Sequence, residues 1–206
     1  MTGKFKNKYR IESNRMPGWD YGWKGAYFIT IVTKNRKHYF GEIKDRIMFL
    51  SELGLILRDE WLKTPKIRPD MNLLLDEYCV MPNHFHAIIK IGRNQYNKFD
   101  NGKTDGKTDD RDAMHRVSTT ETESETESET VNSDNNKFGP QRKNLASIIR
   151  GFKSAVIIYA RRNNIDFAWQ PNYHDHIIRN KKEYFRIKNY ILNNPLKWEN
   201  DTFAKK

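Results

Sequence analysis

Four stretches of the chain carry apolar residues in strand-like runs, and three carry them at helical spacing. Ala26 to Thr33 (AYFITIVT) is β-branched and aromatic, which predicts a strand. Ile43, Ile47, Leu50, Gly54, Leu57 and Trp61 recur three and four residues apart, which predicts an amphipathic helix. Pro65 and Pro69 mark its exit. Asn72 to Val80 is apolar on both faces, as in a central strand. His84 to Ile91 (HFHAIIKI) reads as its antiparallel neighbour across Pro82-Asn83. Leu145, Ile148, Ile149, Phe152, Val156, Tyr159 and Ala160 form a second helical stripe, with Arg142, Lys143, Arg150, Lys153, Arg161 and Arg162 on its far side. Tyr173 to Arg179 suits a fourth strand, and Lys181 to Asn193 a third helix stopped at Pro195.

The order is strand, helix, strand, strand, helix, strand, then a further helix. It predicts an α+β fold of split βαβ type, ferredoxin-like, with an antiparallel sheet backed by helices and one late helix added. Such a fold hosts many activities, so function has to be argued from a site.

Residues 94–138 break the pattern. They repeat Gly-Lys-Thr-Asp at 102–105 and 106–109 and run Glu-Thr-Glu-Ser-Glu-Thr-Glu-Ser-Glu-Thr over 121–130. With almost no apolar side chains, nothing there offsets the entropy of ordering a chain. The stretch reads as a disordered low-complexity insertion, with His115 idle inside it. Residues 1–93 and 139–206 then form a single domain.

Composition narrows the class. One cysteine, Cys79, excludes a disulfide framework, a zinc ribbon and an iron–sulfur site. No apolar run approaches ~18 residues and the mean hydropathy is −0.90, which excludes a membrane helix. The start, MTGKFKNKYRIES, has charge without an apolar segment and is no secretory signal. The expectation is a soluble, cytoplasmic protein. Lys and Arg number 37 against 26 acids, a net charge of +11. The insertion is acidic, with six bases and eleven acids, so the rest of the chain carries +16. That charge suits a polyanion, most often nucleic acid, although a basic protein without such a partner has the same composition.

Two constellations could do chemistry. On a strand, His84 and His86 point to one face while Phe85 enters the core, and two neutral imidazoles so placed can chelate a divalent metal. Two unrelated polar strand residues give the same string, and His174 and His176 repeat it downstream. Tyr190 and Asn194 share a helix face at i and i+4, and Arg186 lies one turn earlier. Pro195 puts Asn194 at a helix end, where its amide can act as a ligand or as a plain C-cap.

Together these stretches resemble the REP-associated tyrosine transposases, of the HUH single-strand transposase superfamily. The resemblance is carried by Gly25-Ala-Tyr-Phe-Ile-Thr-Ile-Val-Thr33, Val80-Met-Pro-Asn-His-Phe-His86, Gly151-Phe-Lys-Ser154, and Trp169-Gln-Pro-Asn-Tyr-His-Asp-His-Ile-Ile-Arg179 running on to Tyr190-Ile-Leu-Asn-Asn-Pro195. It covers about residues 10–93 and 139–198. It implies a nucleophilic tyrosine at Tyr190 and a metal held by His84, His86 and Asn194, with Mg²⁺ or Mn²⁺ as the cofactor. His176 matches a family histidine, whereas His174 stands where an aromatic is usual, so the second pair reads as accidental.

The implied activity is cleavage and transfer of single-stranded DNA at hairpin-forming repeats through a 5′-phosphotyrosine. Two imidazoles and one amide carry no formal charge, so the metal keeps its own. A free tyrosine has a pKa of ~10 and needs cationic help, some of it from Arg186. Single-stranded or hairpin DNA is the expected partner and no membrane is involved; the protein is a monomer or a homodimer. Candidate DNA contacts are Arg10, Arg15, Arg142, Lys143, Arg150, Lys153 and Arg186. Trp19 and Trp23 either stack on bases or pack an N-terminal arm onto the sheet. Two rival readings are a hairpin-binding protein that no longer cuts and an RNA-binding ferredoxin-like module with exposed aromatics on its central strands.

Overall fold

The computed structural model describes residues 15–16, 18–97 and 142–204. Its main sheet has four antiparallel strands: β1 (Gly25–Val32), β4 (Leu73–Val80), β5 (His84–Ile91) and β6 (His174–Ile178), in the order β4-β5-β1-β6. Helices α1 (Glu52–Ile67) and α2 (Leu145–Arg162) cover one face, and α3 (Lys181–Leu192) lies on the other. Without the hairpin and α3, this is the split βαβ arrangement expected from the sequence. The sheet is antiparallel and backed by helices, as predicted.

The core follows from the periodicity. Ile29, Ile31, Phe85 and Ile89 point from the two central strands toward Leu57 and Trp61 of α1 and Ile148, Phe152 and Val156 of α2, all buried. Each helix begins on a side-chain cap. Ser51 accepts the Gly54 amide at α1, Asn144 and Ser147 form a reciprocal capping box at α2, and Asn180 accepts the Glu183 amide at α3. At Gly54 an added Cβ would stand 2.2 Å from the Phe40 carbonyl oxygen, so only glycine lets α1 approach this closely.

Two expectations change. The stripe from Ile43 to Trp61 is not one helix. Residues 41–50 form a hairpin, β2 (Gly41–Lys44) with β3 (Ile47–Leu50), and α1 starts only after Ser51. The hairpin turn holds Asp45 and Arg46 at φ 51° and 65°, the left-handed pair of a two-residue hairpin turn. Second, β4 is an edge strand, with Leu74 left 59% exposed, rather than a central one. A register shift between Leu75 and Tyr78 breaks its ladder. Helix α3 does end at Leu192, as the stop at Pro195 predicts, and a separate 3₁₀ turn follows over Pro195–Asn200.

The expected insertion begins later than 94. Asn94 donates to the Met71 and Gly92 carbonyls, at 3.1 and 3.2 Å, and Asn97 donates to Gly22 at 3.1 Å. The remainder of that insertion, 98–138, lies outside the described residues, as does Arg10.

Candidate active site

The site lies on the sheet face away from α1 and α2. His84 and His86 alternate with Phe85 along β5, so the strand pleat sends Phe85 into the core and both imidazoles to the other side. Both rings are buried, with centroids 4.5 Å apart. Burial pushes both imidazoles down from the ordinary range, His86 to about 3, so both are neutral.

Their hydrogen bonds set their tautomers. The Asn83 amide nitrogen donates to the Arg36 and Phe203 carbonyls, at 3.0 and 2.8 Å, which turns its oxygen toward His84. His84 Nδ1 therefore carries the proton it gives to Asn83 Oδ1 at 2.9 Å, and Nε2 keeps a lone pair. His86 Nδ1 lies 2.8 Å from Thr30 Oγ1 on β1, its cross-strand partner. His86 Nε2 lies 3.3 Å from the Tyr190 hydroxyl.

Tyr190 reaches this point from α3. That helix is seated by a small apolar cluster of Ile88, Ile187 and Ile191 and by a polar tie on each side. On the β4 side, Asp76 accepts from the Tyr184 hydroxyl and from Lys90, each at 2.6 Å, with Lys188 at 3.4 Å. On the β6 side, Glu183 takes the His176 ring nitrogen at 2.7 Å and the Arg179 amide at 2.9 Å. Tyr184 and Tyr173, the other tyrosines near this end of the chain, are engaged elsewhere, with Asp76 and with Arg15. Burial raises the Tyr190 phenol above its usual pKa, while the Asn194 amide beside it acts in the opposite sense.

Asn194 is 3% exposed, and among the described residues its Oδ1 has no hydrogen-bond donor. His84 Nε2 is likewise buried without a donor. Asp201 Oδ2 faces that nitrogen at 3.9 Å. Sequence reasoning missed this carboxylate because it lies beyond the motif, in a tail that folds back. Phe203 of the same tail covers the His84 ring at 4.7 Å. His84 Nε2 and Asn194 Oδ1 are thus buried lone pairs, and the Asp201 carboxylate faces the first of them. The set is a mixed one: among the described residues, no three His, Cys, Asp or Glu side chains group as a metal site by themselves.

The expected DNA contacts divide. Arg186 lines the cavity beside Tyr190. Arg142, Lys143 and Arg150 lie at or on α2, behind the sheet, and Lys143 pairs with Asp70. Two more of the expected contacts are used internally. Arg15 donates to the Tyr173 hydroxyl at 2.8 Å and lies over the Tyr21 ring. Lys153 gives its ammonium to the carbonyls of Gln170, Pro171 and Asn172, and burial lowers its pKa to about 8. Trp19 and Trp23 stack edge to face at 5.3 Å, and Trp19 donates to Tyr27, so the N-terminal arm packs onto the domain. His174 and His176 line the same cavity as Tyr190, so the second pair is not remote from the first.

No protein-family model matches the chain. Among solved structures, a REP-associated tyrosine transposase bound to a REP hairpin is 18% identical, covering 93% of this chain and 73% of its own, with a TM-score of 0.48. A candidate transposase from Deinococcus radiodurans R1 is 15% identical, covering 87% of this chain and 95% of its own, with a TM-score of 0.35. Among helices of the described residues, none is long and apolar enough to cross a membrane. An uncharacterized protein of Haemophilus influenzae Rd is 34% identical over 206 residues, spanning 98% of this chain and 97% of its own, and the chain belongs to the same family as that protein.

Proposed function

We propose that this protein is a metal-dependent single-strand DNA endonuclease and strand transferase with Tyr190 as its nucleophile. The observation that carries the reading is the Tyr190 hydroxyl at 3.3 Å from the buried His86 Nε2. Its setting supports it, because His84 Nε2 and Asn194 Oδ1 are buried acceptors without donors among the described residues. A divalent cation supplies what such a group of lone pairs lacks. The donors are imidazole and oxygen, which suits Mg²⁺ or Mn²⁺.

His84, His86 and Asn194 would hold the ion. When bound, it would polarise a non-bridging phosphate oxygen and offset charge that develops as the ester is attacked. The remaining work falls to the chain. Tyr190 Oη attacks phosphorus in line, the P–O3′ bond breaks, and the DNA leaves a free 3′-hydroxyl and a 5′-phosphotyrosine. Attack by another 3′-hydroxyl reverses the step and frees Tyr190, so no nucleotide is consumed. Thr30 holds the His86 ring in orientation, and Asp76 and Glu183 hold the helix that presents the phenol. The tail at Asp201–Phe203 keeps water from the His84 side.

The test uses a hairpin-bearing single-stranded oligonucleotide with Mn²⁺ and a denaturing gel. Wild-type protein is expected to give a covalent protein–DNA band that maps to Tyr190. Absence of any adduct across Mg²⁺ and Mn²⁺ titrations would sink the reading.

A further inference from the structure

The cavity beside Tyr190, of about 450 Å³, is floored by the sheet. On β1, Thr30 pairs with His86 of β5 on one side and with His174 of β6 on the other. These three residues form one row across the sheet, on the face that carries α3, and all three line the cavity. Phe28 and His176 belong to the next row and line it too. Asp175, between the two histidines of β6, turns to the opposite face, where its Oδ1 lies 4.0 Å from Arg15 Nε. Two strand spacings separate His174 from His86, about 10 Å between their backbones. The Tyr190 hydroxyl meets His86 Nε2 at 3.3 Å, so the nucleophile stands on the β5 side of the cavity and His174 on the β6 side, across Thr30.

Few groups in this cavity can carry a proton. Besides Tyr190, its titratable lining is His86, His174, His176 and Arg186. His86 is bonded to Thr30 through Nδ1, and its Nε2 would be given to the ion. His176 Nε2 is taken by Glu183 at 2.7 Å. A guanidinium keeps its protons, so Arg186 can offset phosphate charge but cannot pass a proton on. His174 is exposed, and its ring makes no hydrogen bond among the described residues. An imidazole both gives and takes a proton near neutrality.

We propose that His174 is the general acid that protonates the departing 3′-oxygen when Tyr190 attacks, and the general base that activates a 3′-hydroxyl when strands are joined. The inference rests on the reading of Tyr190 as nucleophile. In-line displacement puts the leaving oxygen on the far side of phosphorus from the phenol, which is the side of the cavity that His174 lines. As the P–O3′ bond breaks, its electron pair stays on O3′, which takes a proton from the His174 imidazolium. The phenol proton passes to water, and the imidazole regains one from water, so the step neither gains nor loses protons. In joining, neutral His174 takes the proton of the attacking 3′-hydroxyl, the P–O bond to Tyr190 breaks, and water returns a proton to the phenolate.

The experiment compares two hairpin oligonucleotides with the full-length protein and Mn²⁺. One has the normal 3′-oxygen at the phosphate where the wild type cuts, and the other has sulfur in its place. A thiol is a far stronger acid than an alcohol, so the sulfur departs as thiolate without a proton. His174→Ala is expected to slow adduct formation about 100-fold or more on the oxygen substrate, and to stay within about threefold of the wild type on the sulfur substrate. Added imidazole should restore part of the lost rate, while Mn²⁺ binding and the melting temperature hold. His174→Gln, which keeps a polar side chain but passes no proton, should give the same pattern. Equal slowing on both substrates, or oxygen-substrate cutting at the wild-type rate by either variant, would overturn the role of His174 and leave Tyr190 as nucleophile. Absence of an adduct from the wild type on both substrates would overturn the reading of Tyr190 and the acid with it.

Discussion

The Tyr190 hydroxyl stands 3.3 Å from His86 Nε2, and it spans two structural elements to do so. The histidine belongs to a central strand buried on both faces. The tyrosine belongs to a helix held by a few apolar side chains and two polar ties. Any chemistry at this pair would therefore depend on how α3 is seated as well as on the two residues themselves.

Tyr190→Phe removes one oxygen from a ring that is 44% exposed. The lost hydrogen bond should cost no more than about 1 kcal/mol of stability. Hairpin affinity should stay within twofold, while the covalent band on the denaturing gel disappears. An adduct formed at the wild-type rate would move the nucleophile to another residue.

His84→Ala and His86→Ala should each abolish saturable Mn²⁺ binding, read by electron paramagnetic resonance or calorimetry. Tyr190→Phe should bind the ion as the wild type does. Excess Mn²⁺ can restore a trace of cleavage to His84→Ala but none to Tyr190→Phe. Unchanged Mn²⁺ binding in both histidine variants would remove them from the ion site.

The buried histidines also predict acid sensitivity. His86 is held near about 3 and His84 well below its ordinary value, whereas both titrate near ~6.5 in the unfolded chain. As pH falls, the unfolded state binds protons first. Stability should be constant above ~6.5 and decline as pH drops from there toward about 3. Thermal melts of the ion-free protein from pH 7.5 to 4.5 should show a steeper fall for the wild type than for His86→Gln. Equal slopes would mean that His86 is charged in the folded state.

Asp76→Ala leaves Lys90, Lys188 and the Tyr184 hydroxyl without their common acceptor. Such a loss costs about 1–3 kcal/mol, read as a lower denaturant midpoint. The surrounding cations depress the Asp76 pKa, so its contribution is present above the ordinary carboxylate range and is lost as pH falls below it. Adduct formation should slow while Mn²⁺ affinity holds, because Asp76 seats the helix and leaves the ligands alone. A parallel fall in Mn²⁺ affinity would show that the whole face had collapsed.

Replacing residues 98–141 with a short Gly/Ser linker should leave the melting temperature within a few degrees. Both flanks are fixed independently at one turn: Asn97 donates to the Gly22 carbonyl at 3.1 Å, and the Leu145 amide to Tyr21 at 3.0 Å. Their common anchor means that the linker has little distance to span. A chain that unfolds on this replacement would place a structural element between 98 and 141.

Much of the fold was legible because strand and helix periods differ. The pairing of His84 and His86 on one face needs only the two-residue repeat of β5, and Tyr190 with Asn194 needs only the helical repeat. The β2–β3 hairpin was hidden because Ile43, Ile47 and Leu50 satisfy a helical spacing while folding back through Asp45-Arg46, a turn without glycine or asparagine. The edge position of β4 depends on pairing order, which its apolar composition does not encode. Lys153 looked like a phosphate contact because charge is visible in a sequence and three carbonyls converging on it are not. Asp201 carries no local signal, since its approach to His84 depends on the fold of the tail.

Thr30 lines the cavity beside Tyr190, and its Oγ1 is bonded to His86 Nδ1. One small hydroxyl therefore stands between whatever fills that cavity and the orientation of a buried imidazole. A ligand pressed against Thr30 would turn the His86 ring before it disturbed the sheet beneath it.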